Sequence, residues 1–235
     1  MTIAATATTT LLPPPACPFP AGWTLADLQQ HLGDIPADRI VLNPPPGQAT
    51  EQDLLYLADR DRHCELEFGV LVEKTMGWYE SLLASLINFE ITLYLRSHDL
   101  GQVLGADGTL KILPGMVKIP DVSFISWSRF PKEKLPRRPI PALIPDLAVE
   151  VLSQGNTQRE MSAKLEKYFD AGVRLVWYVD PDSRTATMWQ QRDQPLLVAV
   201  AGELDGFDVL PGLRISLAQL FAQADRQSPL TDETD

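Results

Sequence analysis

Asp121, Glu150 and Lys164 are the residues whose types and setting could do chemistry. Glu150 stands inside Leu147-Ala148-Val149-Glu150-Val151-Leu152, a run otherwise apolar and bounded by Pro145 and by Ser153-Gln154-Gly155-Asn156, which reads as a buried strand. An ionised carboxylate there is costly unless a cation, hydrogen bonds or a metal compensates it. Asp121 follows Pro120 and opens a similar apolar run, Val122, Phe124 and Ile125, while Lys164 falls on the helix expected after the Glu150 strand. Two hard oxygen ligands of this sort suit Mg²⁺ (or Mn²⁺), since Mg²⁺ takes one or two carboxylates and keeps several waters. Such a metal lowers the pKa of a bound water and neutralises charge on a phosphate. A lysine beside it can orient or deprotonate that water, or stabilise a pentavalent transition state. The set therefore suits phosphodiester hydrolysis.

Other charged residues carry two readings each. Glu80 lies near the start of the longest helical pattern, where the helix dipole favours a carboxylate; a place beside the metal is the other reading. Arg129, Lys132, Lys134, Arg137 and Arg138, against the single acid Glu133, make a basic, proline-broken loop that is either a solvated connection or a clamp on phosphates.

The elements that must position these residues can be followed along the chain. Residues 1–50 are expected to form an N-terminal extension. Its first 21 residues are rich in Thr, Ala and Pro and are expected to be disordered. A short helix capped by Thr24 and a brief extended arm at Arg39–Leu42 complete it. Residues 51–224 are expected to be the main domain and 225–235 a polar tail. Within the domain, the chain from Cys64 reads as two strands in hairpin around Gly69, with Leu66, Phe68, Val70 and Val72 alternating against Glu65, Glu67 and Glu73, and Trp78 to Arg96 reads as a well-buried helix. Three successive strands are expected at Gly101–Leu104, Leu110–Leu113 and Val117–Trp127, the first two joined by a hairpin turn at Ala106-Asp107-Gly108. After the Glu150 strand, Thr157 caps a helix that Gly172 stops, with Met161, Leu165 and Phe169 along one line and Glu160, Lys164 and Lys167 on an adjoining face. A buried strand at Leu175–Val179, a hairpin over Arg192–Gln194 and a short helix capped by Ser216 follow. This order predicts an α/β sandwich with a central mixed β-sheet flanked by helices.

The whole chain of 235 residues has a formal net charge of −11, which argues against non-specific nucleic-acid binding driven by its overall field. No run of about 18 apolar residues marks a membrane span, and the start of the chain lacks the pattern of a signal peptide. Cys17 and Cys64 have no metal or redox spacing, so a reduced, cytoplasmic protein is expected. His31, His63 and His98 are too scattered for a zinc site.

The segments Pro120-Asp121-Val122-Ser123-Phe124 and Pro145-Asp146-Leu147-Ala148-Val149-Glu150-Val151-Leu152-Ser153, followed by Lys164, Tyr168, Gly172-Val173, Trp177 and Asp180-Pro181, resemble the Uma2 family. That resemblance, over about Asp53 to Phe221, implies a restriction endonuclease-like fold of the PD-(D/E)XK nuclease superfamily. It also implies a metal-dependent endonuclease acting on DNA, with Asp121 and Glu150 as metal ligands, Lys164 as the catalytic lysine and Glu80 as a first-helix acid. Leu152 departs from the superfamily pattern, because lysine is usual two residues after the glutamate. Lys164 must then supply the amine from the helix, with Lys167 as the fallback. A homodimer would suit two cuts in a duplex. The competing expectation is a catalytically inactive binding or scaffolding module that retains the fold.

Overall fold

The computed structural model describes residues 22–130 and 135–225. The leader expected to be disordered, the polar tail beyond Asp225, and Lys132 and Lys134 of the basic loop lie outside the described residues.

All the α-helices among the described residues except the longest begin at a side chain that caps them. Thr24, Thr50 and Thr157 each accept a backbone N–H three residues on, and the acidic side chain at that position returns the bond, closing capping boxes on α1 (Leu25–His31), α2 (Glu51–Ala58) and the helix Gln158–Ala171. The last of these is α4, following α3 (Trp78–Leu95), and it ends at Gly172, whose φ of 96° is the left-handed stop that glycine adopts without penalty. Ser216 caps α5 (Leu217–Ala224).

The strands are β1 (Ile40–Val41), β2 (Cys64–Glu67), β3 (Val70–Glu73), β4 (Gly101–Leu104), β5 (Leu110–Leu113), β6 (Met116–Lys118), β7 (Val122–Ser126), β8 (Leu147–Val151), β9 (Leu175–Asp180), β10 (Thr185–Trp189), β11 (Pro195–Val198), β12 (Glu203–Asp205) and β13 (Arg214–Ser216). They form a six-stranded sheet ordered β11-β10-β9-β8-β7-β4, a five-stranded sheet ordered β1-β3-β2-β6-β5, and the small pair β12-β13. The six-stranded sheet is mixed: β8 and β9 run parallel, joined by α4 as the crossover such pairs require, and its other neighbours are antiparallel.

Two expectations fail for a common reason. The apolar run Val117–Trp127 is not one strand. It breaks at Ile119–Asp121, because Pro120 has no N–H for a ladder, and β6 and β7 join different sheets. The expected hairpin across Ala106–Gly108 is also absent: a turn forms there, but β4 pairs with β7 and β5 with β6. At Gly101 the strand lies so close to β7 that an added Cβ would sit 2.1 Å from the Ile125 carbonyl oxygen, a contact only glycine permits. The pair β12-β13 was not anticipated at all.

The two-residue period of β8 divides the core. Leu147, Val149 and Val151 face α3 and α5, while Ala148 and Glu150 face α4. In the five-stranded sheet, Cys64 and Leu66 pack with Leu54 and Leu57 of α2, which turns Glu65 and Glu67 of β2 the other way, towards α4. The first arm of the chain is built in as well. Leu28 of α1 and Ile40 of β1 pack on Val70 and Val72 of β3.

Candidate functional site

Asp121 sits where the chain steps from one sheet to the other. The antiparallel register of β7 and β8 pairs Val122 with Val149, and its next position sets Asp121 beside Glu150. The Val151 N–H donates to Asp121 Oδ2 at 2.7 Å. The other oxygen, Oδ1, is 2.7 Å from the Lys74 ammonium, yet that contact is a charge contact without hydrogen-bond alignment, so Oδ1 has no directed donor among the described residues. Lys74 itself follows β3 and donates to the Ile119 carbonyl at 2.6 Å.

Glu150 is served from α4. Lys164 and Tyr168, one turn apart on the same face of the helix, both reach Glu150 Oε1, the lysine at 2.8 Å and the tyrosine through its hydroxyl. Lys164 also stands 3.1 Å from Glu65 Oε1. From there a chain of charges continues inward. Lys118 bridges Glu65 at 2.9 Å and Glu67 at 3.2 Å, and Lys167 meets Glu67 at 2.5 Å. Four carboxylates (Glu65, Glu67, Asp121 and Glu150) thus meet four ammoniums (Lys74, Lys118, Lys164 and Lys167), and the group is formally neutral. That balance is what permits its burial, since each unpaired buried ion would cost several kcal/mol, on the order of 3–5 when one partner is removed.

Proton affinities follow from this geometry. Burial alone would lower the Lys164 pKa, but Glu150 and Glu65 outweigh it and hold the amine charged, well above the ordinary lysine range. Burial pushes Glu65 up, yet Lys118 and Lys164 overcome that and its carboxyl falls far below the usual range. Glu150 goes the other way. Burial raises its pKa more than Lys164 lowers it, and Asp121 adds to the rise. With two donors on Oε1 it is nevertheless a carboxylate acceptor. Lys167, at the outer end, is lowered by burial and by Lys118, which Glu67 only partly offsets.

The structure therefore brings Asp121, Glu150 and Lys164 together. Lys167 reaches Glu67, not Glu150. Glu80 does not line the cavity that Asp121, Glu150 and Lys164 share: it lies in the first turn of α3, and its carboxylate folds back over Gly77 at the start of its own helix. Leu152 shares the strand face of Glu150 but lines a neighbouring groove. Of the basic loop, Arg129 is committed to Asp146 Oδ1 at 3.1 Å and the Gly172 carbonyl at 2.7 Å. Those partners lie at the opposite end of β8 from Glu150.

Sequence reading missed Lys74, Glu65, Glu67 and Lys118. In the sequence, the acids of β2 read only as the polar phase of an alternating strand. Their signal was the cation Lys118, directly before Ile119-Pro120-Asp121, which demands counter-ions if that run is buried. Arg39 was missed as well. Its guanidinium grips Glu160 with two bonds of 2.9 and 2.7 Å, and also donates to the carbonyls of Glu73 and Gly155.

Asp121 and Glu150 are hard oxygen donors of the kind a divalent cation takes, and they share one cavity with cationic side chains. Asp121 and Glu150, with Lys74, Lys164, Glu65 and Arg39, line a cavity of about 10 Å³, enough for a single water-sized body. Asp121 Oδ1 offers an oxygen that no donor is aligned to satisfy. No group of three or more His, Cys, Asp or Glu placed to hold a metal ion exists among the described residues.

A family model, Uma2, described as "Putative restriction endonuclease", matches residues 50–218. The fold is similar to a crystal structure described as "a putative nuclease belonging to DUF820" from Anabaena variabilis ATCC 29413. The TM-score is 0.61 at 18% identity, over 70% of this chain and 92% of that one. No curated protein matches the chain. The mixed sheet with its flanking helices is thus a restriction endonuclease-like fold.

Proposed function

The chain belongs to the Uma2 family, and from that membership we propose that it is a metal-dependent endonuclease that hydrolyses DNA phosphodiester bonds. The observation that carries this reading is the convergence of Asp121 from the break before β7, Glu150 from β8 and Lys164 from α4 on one small cavity. Asp121 and Glu150 would hold Mg²⁺ or Mn²⁺. When bound, that ion supplies a more acidic water and neutralises phosphate charge.

The chain's own residues divide the remaining work. Tyr168 and Lys164 fix the orientation of Glu150 through one oxygen, leaving the other for a ligand. The Val151 N–H fixes Asp121 in the same way. Lys164, kept protonated by two carboxylates, is a poor proton acceptor. It serves as a positive donor to the oxygens on which charge builds in the transition state. Lys74 brings a second ammonium to the same cavity. Each of the two ammoniums is paired with a carboxylate of the same cavity.

The test is cleavage of plasmid DNA by the purified chain with Mg²⁺ or Mn²⁺. Cutting that Glu150→Gln abolishes supports the reading. No cutting with either metal, together with metal binding that Glu150→Ala leaves unchanged, overturns it. The same ion pairs support a second reading, a binding module without catalysis, because four ammoniums neutralise the four carboxylates. Calorimetry separates the two, since that module takes up no Mg²⁺.

A further inference from the structure

Beside the cleft, α4 covers only part of the six-stranded sheet and leaves a groove of about 540 Å³ over β9 and β10. Tyr178, Thr187 and Trp189 line it from the sheet, and Met161 and Gln158 from the helix. Asn156 lines both this groove and the catalytic cavity, so the two are neighbours across one residue. Leu152, two residues after Glu150 on the same strand face, gives the groove an apolar wall where an amine would have been expected.

The groove has the size of a small-molecule site, and its chemistry is specific. Trp189 is half-buried and meets Tyr178 in a T-shaped contact at 4.9 Å, which makes an aromatic wall. The side-chain amides of Gln154 and Gln158 are exposed at the rim and make no hydrogen bond to another described residue. Asp180 and Asp182 also stand at the rim, where they disfavour a phosphate. A flat heteroaromatic ring with amino and carbonyl groups on its edge answers all three features.

We propose that the groove holds an unstacked nucleobase of the DNA strand bound in the cleft, packed against Trp189 and hydrogen-bonded at its edge by Gln158. Base–aromatic packing and amide contacts to base edges are general means of holding single-stranded bases. The proposal rests on the nuclease reading for the identity of the strand. It adds that the enzyme engages an unpaired base next to the bond it cuts.

The test uses the full chain in EDTA at low salt, so that binding is read without cleavage. The probe is a thymidine hexanucleotide with one central 2-aminopurine, whose emission reports stacking. The expected result is a saturable emission change, reversed by an unlabelled thymidine hexanucleotide and at least about tenfold less well by an abasic hexamer offered as competing probe. The affinity should weaken about tenfold or more in Trp189→Ala, as for other stacked bases, and measurably in Gln158→Ala, an exposed change that leaves the core intact. Equal affinity for the abasic probe, no binding of either probe, or unchanged binding in Gln158→Ala and a folded Trp189→Ala overturns the proposal. Base binding without any metal-dependent cleavage in the separate plasmid assay would retain the groove and remove the nuclease reading; cleavage with no base dependence would do the reverse.

Discussion

Lys164 has two roles at once, as the counter-ion that allows Glu150 and Glu65 to be buried and as the ammonium that faces the cavity. Lys164→Met is expected to lower cleavage by about 10²–10³-fold, the usual effect of removing one transition-state donor, and to destabilise the fold by about 3–5 kcal/mol. Lys167→Met touches only Glu67 and is expected to cost stability while leaving cleavage within a fewfold of normal. Nicking rates and urea denaturation of the two variants check both statements. Asp146 gives a pH test. Buried, it accepts the Ser126 N–H at 2.8 Å and faces Arg129, and these partners outweigh burial and hold its carboxyl below its ordinary 3.8. The stability it contributes is therefore present above about pH 4 and lost as pH falls through the lower folded value. Asp146→Asn should cost about 2 kcal/mol at pH 7, and the difference from the unaltered chain should shrink below pH 4 in denaturation curves. At this scale Glu150 was legible because a charge interrupts an apolar strand. Glu65 and Glu67 were not, since an acid alternating with leucine reads as an ordinary solvated face.

Among the elements, α4 decides the site, and its start is held by the arm of the chain that precedes the family match. Arg39 joins Glu160, the Gly155 turn and the end of β3, and so ties the roots of Lys164 and Lys74 together. Arg39→Lys keeps the charge but loses the two-pronged grip on Glu160. It is expected to lower the melting temperature and to weaken the proposed Mg²⁺ binding measured by calorimetry, although Arg39 is not one of the proposed ligands. Gly33 tests the same junction sterically. Its φ is +91° and an added Cβ would lie 2.4 Å from the Glu160 backbone nitrogen. Gly33→Ala should therefore destabilise by more than the roughly 1 kcal/mol of an ordinary glycine change, as read by denaturation. The caps of α1 and α4 were legible because a capping box is a local pattern. The break of Val117–Trp127 into β6 and β7 was not, because only Pro120 marks it and the sheet each half joins is decided by distant partners.

For the whole molecule, the alternation of strands and helices was enough to predict an α/β sandwich, but the division into two sheets was set by contacts far apart in sequence. Glu67 and Lys167, for instance, are 100 residues apart. No helix among the described residues is long and apolar enough to cross a membrane. The buried row of charges has a further consequence, for reactivity. Acylating reagents attack only the neutral, accessible form of an amine. Lys118 and Lys164 are 5% and 9% exposed and are held protonated by their carboxylates, so they should be nearly inert in the folded chain. Lys167, whose pKa is lowered and whose side chain is 21% exposed, should react ahead of them. Brief labelling with an acetylating reagent, followed by peptide mass spectrometry, would read that ranking directly. The order in which these lysines become modified during gradual denaturation would then trace how the joint between the two sheets comes apart.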